Sequence, residues 1–171
     1  IAQCLVGSEM CIRDSRYTFA ELCKEAEETD YITSRIDVNN KCFLAPENMT
    51  EAIKSYCNNN DLIIPDTAGE IAAVVYKSLA DSYADTVMQI EKNLDITYDA
   101  IYVIGGGANA GYLNQLTADS TGKTVVAGPA EATAIGNIMA QMIADSVFKN
   151  LKEARACVRD SFDIKRFEQK R

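Results

Sequence analysis

The chain has 171 residues, of which 47 % are apolar and 25 % are charged, and its net charge is -8. This length and composition fit a folded domain with a sizeable core. The negative charge argues against nucleic-acid binding, and no apolar run approaches the roughly 20 residues that a membrane helix needs. Because histidine is absent and the six cysteines form no C-x-x-C pair, we expect no zinc site and a cytoplasmic protein with reduced thiols.

The first residues of the chain differ in their pattern from the rest of it. Residues 1–15 show neither a helical period nor the charged start of a signal peptide. We interpret residues 1–15 as a foreign segment that packs poorly against the core, and we assign residues 16–171 to the domain itself. We also expect the chain to be a fragment that lacks an upstream half.

Two capping boxes predict the starts of helices in the first half of the chain. In such a box a threonine caps the helix, and the glutamate three residues later reaches back to the threonine amide. The boxes occupy residues 18–21 and 67–70. The first predicts a helix that ends near Glu28, and the second begins the longest helix, over 68–93.

Between these helices the sequence predicts a loop over Ile36–Pro46 and a short helix over Met49–Tyr56. The long helix has apolar residues at steps of three and four, which indicates a face buried in the core. These residues are Ile71, Val75, Leu79, Tyr83, Val87 and Ile90.

After residue 99 the pattern alternates between strands and helices. The predicted elements are a strand over 100–104, a helix over 112–120, a strand over 124–127, and helices over 131–147 and 150–159. This alternation predicts an α/β fold with a partly parallel sheet and right-handed crossovers.

Two further patterns concern the last helices. Small side chains predict that the 131–147 helix packs tightly against the turn after the first strand; they are Ala132, Ala134, Gly136, Ala140 and Ala144. The basic residues near the C-terminus are interpreted as a solvated helix end. They are Lys165, Arg166, Lys170 and Arg171.

The most informative stretch is the first strand, which ends in Gly105, Gly106 and Gly107 and is followed by a helix. Glycine has no Cβ and tolerates positive φ, so such a turn lets the backbone approach a phosphate or a nucleoside. The same turn also occurs in α/β domains that bind no nucleotide. No Walker-type lysine follows these glycines, because the next residue is Ala108.

Three stretches around this turn resemble the FGGY carbohydrate kinases, within the actin-like ATPase superfamily. They are Val103–Asn109, Leu113–Asp119 and Ala127–Asn137. The string Gly-Pro-x-Glu-Ala-Thr-Ala-x-Gly-Asn, which begins at Gly128, resembles the rhamnulokinases of that family. The resemblance runs from about Tyr17 to the end. It implies an α/β domain of the ribonuclease H-like, actin-like type, the C-terminal FGGY domain, with a central sheet flanked by helices.

The resemblance implies a kinase that transfers the γ-phosphate of ATP to L-rhamnulose with the help of Mg²⁺. In such kinases the N-terminal domain holds the sugar, the metal-binding acids and the general base, whereas the C-terminal domain supplies much of the adenosine pocket. No catalytic residue and no metal ligand is therefore expected in this chain. The residues expected to bind the nucleotide are Gly105, Gly106, Gly107 and Asn109, although Asn109 is equally suited to a plain turn.

Several other residues match the family pattern and are interpreted as structural. Asn114 and Gln115 are expected to make hydrogen bonds from their helix to the sheet. Asp119 and Asn137 are expected to be structural, and Glu131 is interpreted as a helix-start residue.

The expected partners are ATP or ADP, and the sugar through the missing domain, with neither nucleic acid nor membrane. The chain alone is expected to be inactive, because it holds one wall of a two-walled cleft. Two alternatives stay open. One is another FGGY sugar kinase, such as a fuculokinase or a xylulokinase-like enzyme, and the other is a non-catalytic, actin-like nucleotide-binding module.

Overall fold

The computed structural model of the chain describes residues 18–29 and 31–170. These divide into two compact units, one up to residue 90 and the other from residue 91 onward. The prediction that residues 1–15 are foreign to the domain and pack poorly falls outside the described residues. No helix in the described ranges is long and apolar enough to cross a membrane.

The first unit is helical. It contains α1 (Phe19–Glu27), α2 (Met49–Asn59) and most of α3 (Ala68–Leu94), with one turn of 3-10 helix at Lys41–Phe43. Each helix agrees with its predicted position to within a few residues. The segment between α1 and α2 is otherwise irregular, as the asparagines and the proline in it predict.

Both predicted capping boxes are present. The Thr18 hydroxyl accepts a hydrogen bond from the Glu21 amide at 3.2 Å, and the Glu21 carboxylate accepts one from the Thr18 amide at 2.7 Å. Thr67 and Glu70 make the same reciprocal pair, each bond being 3.2 Å long. These bonds satisfy amide groups that the first turns of α1 and α3 would otherwise leave unpaired.

The core of the first unit is formed by α2, the first half of α3 and the chain that precedes α2. Its buried residues are Ile32, Ile36, Phe43, Met49, Ile53, Cys57, Ile71, Val74 and Val75. The predicted apolar face of α3 is therefore buried near the start of the helix. Towards its end the prediction is wrong, because Tyr83 and Ile90 are 40 % and 43 % exposed.

The second unit combines a small sheet with three helices and the end of α3. Its elements are β1 (Ala100–Val103), a 3-10 turn (Gly105–Asn109), α4 (Gly111–Thr121), β2 (Thr124–Ala127), α5 (Ala132–Ala144), α6 (Leu151–Ser161) and β3 (Lys165–Phe167). The strand order is β1-β2-β3, with β1 and β2 parallel and β3 antiparallel to β2. This mixed sheet with helices confirms the predicted α/β class.

Register and burial place β2 at the centre of this sheet. Ala100 lies opposite Thr124 and Val103 lies opposite Ala127 in the parallel pair. Val125 is fully buried and faces Phe167 across the antiparallel pair. The crossover between the parallel strands is α4, as the alternation of elements predicts.

Two predictions for the end of the chain are wrong. Lys165 and Arg166 lie in β3 rather than at a helix end, because they pair with Ala127 and Val126 of β2. The small residues of α5 also do not pack tightly. Ala134, Gly136, Ala140 and Ala144 are exposed, and a Cβ at Gly136 would meet no atom within 4 Å.

Candidate functional site

The carboxyl ends of the two parallel strands lie side by side, and each strand leads into a loop that begins near a left-handed glycine. Gly105 follows β1 with φ of 76°, and Gly128 follows β2 with φ of 121°. The Gly128 amide donates to the Val103 carbonyl at 2.9 Å. A Cβ at Gly105 would lie 4.0 Å from the Ala130 carbonyl oxygen. The two loops therefore adjoin at the edge of the sheet where open α/β folds bind ligands.

The three glycines of the first loop have different surroundings. Gly105 alone among them has a left-handed backbone, so it requires glycine for conformational reasons. Gly106 and Gly107 are exposed. A Cβ at Gly106 would meet no atom within 4 Å, and one at Gly107 would lie 3.4 Å from Val103 Cγ1. Gly106 therefore presents bare backbone to open space, which leaves room for a ligand.

Two helices begin directly after these loops, and neither has a side-chain cap. Ala110 precedes α4 and Glu131 precedes α5, and neither side chain bonds to the first turn of its helix. The first amide groups of a helix carry partial positive charge and favour an anion. Glu131 lies immediately before α5, near the predicted helix start but not within the first turn where the sequence placed it.

Asn114 makes hydrogen bonds to the 3-10 turn over Gly105–Asn109, which we call the glycine turn. This residue of α4 is 3 % exposed. Its side-chain Nδ2 lies 3.2 Å from the Gly107 carbonyl oxygen and 3.3 Å from that of Ala108. We expected a bond from Asn114 to the sheet, and that expectation is wrong. The signal in the sequence is an asparagine within the first turn of the helix that comes after the glycines.

The neighbouring amide does join its helix to the sheet region. Gln115 Nε2 donates to the Glu168 carbonyl at 2.8 Å and to Asp119 Oδ1 at 3.0 Å. Asp119 Oδ1 also accepts from the Lys170 amide at 2.7 Å. These bonds fix the chain after β3 against α4, which confirms that Gln115 and Asp119 are structural.

Two other asparagines that match the family pattern, Asn109 and Asn137, are exposed. Asn109 is the last residue of the 3-10 turn that contains the three glycines, so the structure brings all four predicted binding residues into one turn. Asn137 lies on the exposed side of α5, away from the buried Ile135.

An ion pair lies at the opposite end of the same strands. Lys123 Nζ is 2.7 Å from Glu91 Oε1, just before β2 begins. The pKa of Glu91 lies below its ordinary value. The largest cause is the hydrogen bond from Lys123, and the second is the bond from the Tyr98 amide. This pair precedes both strands, whereas the glycine loops come after them, so it serves the sheet rather than the candidate site.

The described residues supply no metal centre. No group of three or more histidine, cysteine, aspartate or glutamate side chains within residues 18–29 and 31–170 could hold a metal ion. The loops can therefore offer backbone contacts and helix amides to an anionic ligand, but the described residues offer no cluster of acids to hold a cation beside it.

Comparison with known proteins identifies relatives of the whole domain. The model of the FGGY family of carbohydrate kinases, C-terminal domain, matches residues 8–144. Rhamnulokinase of Bacillus subtilis (strain 168) is 47 % identical over 154 residues, which are 90 % of this chain and 32 % of that protein. The rhamnulokinases of Oceanobacillus iheyensis and Halalkalibacterium halodurans are both 44 % identical, over 88 % and 90 % of this chain. The chain spans about a third of the length of these relatives.

Proposed function

Since the chain belongs to the FGGY family of carbohydrate kinases, as its sequence predicts, we propose that it is the ATP-binding C-terminal part of a rhamnulokinase. Such an enzyme transfers the γ-phosphate of ATP to L-rhamnulose and forms L-rhamnulose 1-phosphate. The observation that carries this proposal is the identity of 44 % to 47 % with three rhamnulokinases over about nine-tenths of the chain.

The nucleotide lies, in this proposal, against the glycine turn. Gly106 supplies bare backbone with open space beside it, and Gly105 and Gly107 shape the turn on either side. Asn109 offers an exposed polar side chain at the rim. The uncapped first turns of α4 and α5 begin next to the two loops and favour phosphate oxygens over neutral groups.

The chemistry of phosphoryl transfer requires more than this turn. Such transfer depends on positioning of the two substrates and on neutralisation of charge around the transferred group. Mg²⁺ bound to the ATP phosphates would supply part of that neutralisation. The described residues contain no acid cluster that fits the ion, so we assign its ligands, the sugar contacts and the general base to the remaining two-thirds of a longer protein. The chain alone then binds ATP or ADP weakly and phosphorylates no sugar.

A coupled assay of ADP release tests this assignment. The full-length protein, supplied with ATP and Mg²⁺, is expected to release ADP on addition of L-rhamnulose and far less on addition of L-fuculose or D-xylulose. The isolated chain is expected to release none. Preference for another sugar would contradict the substrate, and sugar-dependent turnover by the chain alone would contradict the division of roles.

The glycine turn is tested by Gly106→Val in the full-length protein. Because a Cβ at this position meets no protein atom within 4 Å, the fold has room for the new side chain, which fills space proposed for the nucleotide. We expect the KM for ATP to rise about tenfold or more, whereas the KM for L-rhamnulose changes by less than about twofold. Gly106→Ala, with a smaller side chain, is expected to give a smaller rise. Equal changes in both KM values, or none, would contradict the assignment.

A further inference from the structure

We propose that Asn114 is a positioning residue of the nucleotide site: its side-chain amide holds the glycine turn in the shape that ATP requires. This inference rests on the proposed function. Asn114 is almost fully buried and belongs to α4, yet its amide nitrogen donates to two carbonyl oxygens of the turn. It has no direct contact with the proposed nucleotide position and acts only through the backbone that it holds.

The geometry requires an amide nitrogen at this place. The neighbours of Asn114 Nδ2 are the carbonyl oxygens of Gly107 and Ala108, at 3.2 Å and 3.3 Å. Carbonyl oxygens only accept hydrogen bonds, so the group that faces both must donate twice. The side chain of asparagine does this with one NH₂ group, whereas aspartate would place a third acceptor opposite two others.

The turn depends on these bonds because two of its three exposed residues are glycines. Gly106 and Gly107 lack the side-chain packing that fixes other residues, so their position depends on the backbone conformation. The Gly107 carbonyl also accepts from the Ala110 amide at 3.1 Å, where the 3-10 turn ends and α4 is about to begin. Asn114 thus joins the turn to the rigid helix behind it. A displacement of about 1 Å in such a support is enough to weaken binding.

The test compares two amide-to-acid substitutions in adjacent residues of the full-length protein. Asn114→Asp places a carboxylate against the two turn carbonyls. Gln115→Glu, the control, places one against the Glu168 carbonyl and the Asp119 carboxylate, away from the turn. Both substitutions replace favourable bonds by repulsion within α4, so a general loss of stability affects both.

We expect Asn114→Asp to raise the KM for ATP about tenfold, with the KM for L-rhamnulose changed less than about twofold. In Gln115→Glu both KM values are expected to stay within about twofold of the unsubstituted protein. Should Asn114→Asp not fold, Asn114→Ala gives the same test. It removes the side-chain donor from both carbonyls but adds no charge.

The outcomes separate this inference from the proposed function. A full-length protein that shows no ATP-dependent phosphorylation of L-rhamnulose would overturn the proposed function, and the inference with it. Two results with an active protein would overturn the inference alone. One is an equal change in the KM for ATP in the Asn114 and Gln115 variants. The other is an equal change in the KM values for ATP and L-rhamnulose in the Asn114 variant.

Discussion

The two units of the chain differ in how they treat apolar surface. In the helical unit, Ile53, Val74 and Val75 are completely buried and belong to one continuous core. In the sheet unit, burial is concentrated around β2, while Tyr102 on β1 is 74 % exposed and Ile104 just after it is 60 % exposed. Both units expose several large apolar side chains, but only the helical unit also has a core of many buried ones. In the described part of the sheet unit, the buried apolar residues larger than alanine are Val125, Val126 and Ile135.

Some of the exposed side chains of the sheet unit line a groove of about 800 Å³ between β1, α5 and α6. Its apolar lining includes the exposed Tyr102, Ile104 and Leu151 and the half-buried Met139 and Val158. The same unit carries the glycine turn and the two uncapped helix starts. Because hydrophobic stabilisation is proportional to the apolar area removed from water, the difference teaches that substitutions of similar chemistry should have unequal effects in the two units.

The largest expected effect comes from truncating an isoleucine in each unit. Ile53→Ala removes a fully buried side chain from the core of the helical unit and is expected to cost about 2–5 kcal/mol of unfolding free energy. Ile138→Ala removes one that is 53 % exposed on α5, and its cost is expected to stay within about 0.5 kcal/mol. Urea unfolding of the chain measures both. Similar costs for the two variants would break the comparison.

The next effect comes from adding one methyl group to a helical glycine in each unit. A Cβ at Gly69 in α3 would lie 2.7 Å from Glu25 Cβ and 3.2 Å from the Glu25 carbonyl carbon. Because backbone of α1 must move to admit it, Gly69→Ala is expected to cost about 1–3 kcal/mol. Gly136 in α5 has open space instead.

Gly136→Ala is the matched control, and it is expected to stabilise the chain by about 0.5–1 kcal/mol, since alanine is the better helix former. Opposite signs for the two glycines in thermal or urea unfolding would sharpen the comparison. A loss of stability at Gly136 as large as that at Gly69 would show that α5 is packed more tightly than its exposure indicates.

Local signals predicted much of this fold. The pairs Thr18–Glu21 and Thr67–Glu70 mark helix starts because each bond joins residues only three positions apart. The strand over 124–127 is predicted residue for residue, since its apolar run lies between two nearby glycines, Gly122 and Gly128. The glycine turn is likewise visible in the sequence, because consecutive glycines after an apolar run mark the end of a strand.

The features that the sequence did not reveal depend on distant partners. Lys165 and Arg166 become strand residues only through pairing with β2, about 40 positions earlier. Exposure of Tyr83 and Ile90 on α3 cannot be read from a periodic pattern, which gives the face of a helix but not what covers it. The bonds from Asn114 to the Gly107 and Ala108 carbonyls also do not follow from a pattern, because they depend on how the turn lies against α4.

The smallest expected effect concerns a polar contact of the sheet unit. Lys123 Nζ lies 2.7 Å from Glu91 Oε1 and also donates to the Tyr98 carbonyl at 2.8 Å. The Tyr98 amide donates to the same Glu91 oxygen at 2.7 Å. The first of these contacts is the largest cause of the lowered pKa of Glu91.

A lowered carboxyl pKa stabilises the folded state above the unfolded value of about 4.5, and this stability is lost as the pH falls through the lower folded value. Lys123→Met is expected to raise the pKa of Glu91 towards 4.5 and to reduce the loss of stability that acid causes. Lys92→Met, which removes a neighbouring exposed lysine, is the control and should leave that pKa nearly unchanged. NMR titration of the Glu91 carboxyl carbon measures the shift. If Glu91 titrates near 4.5 in the unsubstituted chain, the contact with Lys123 is not formed in solution, and the sheet unit lacks this support.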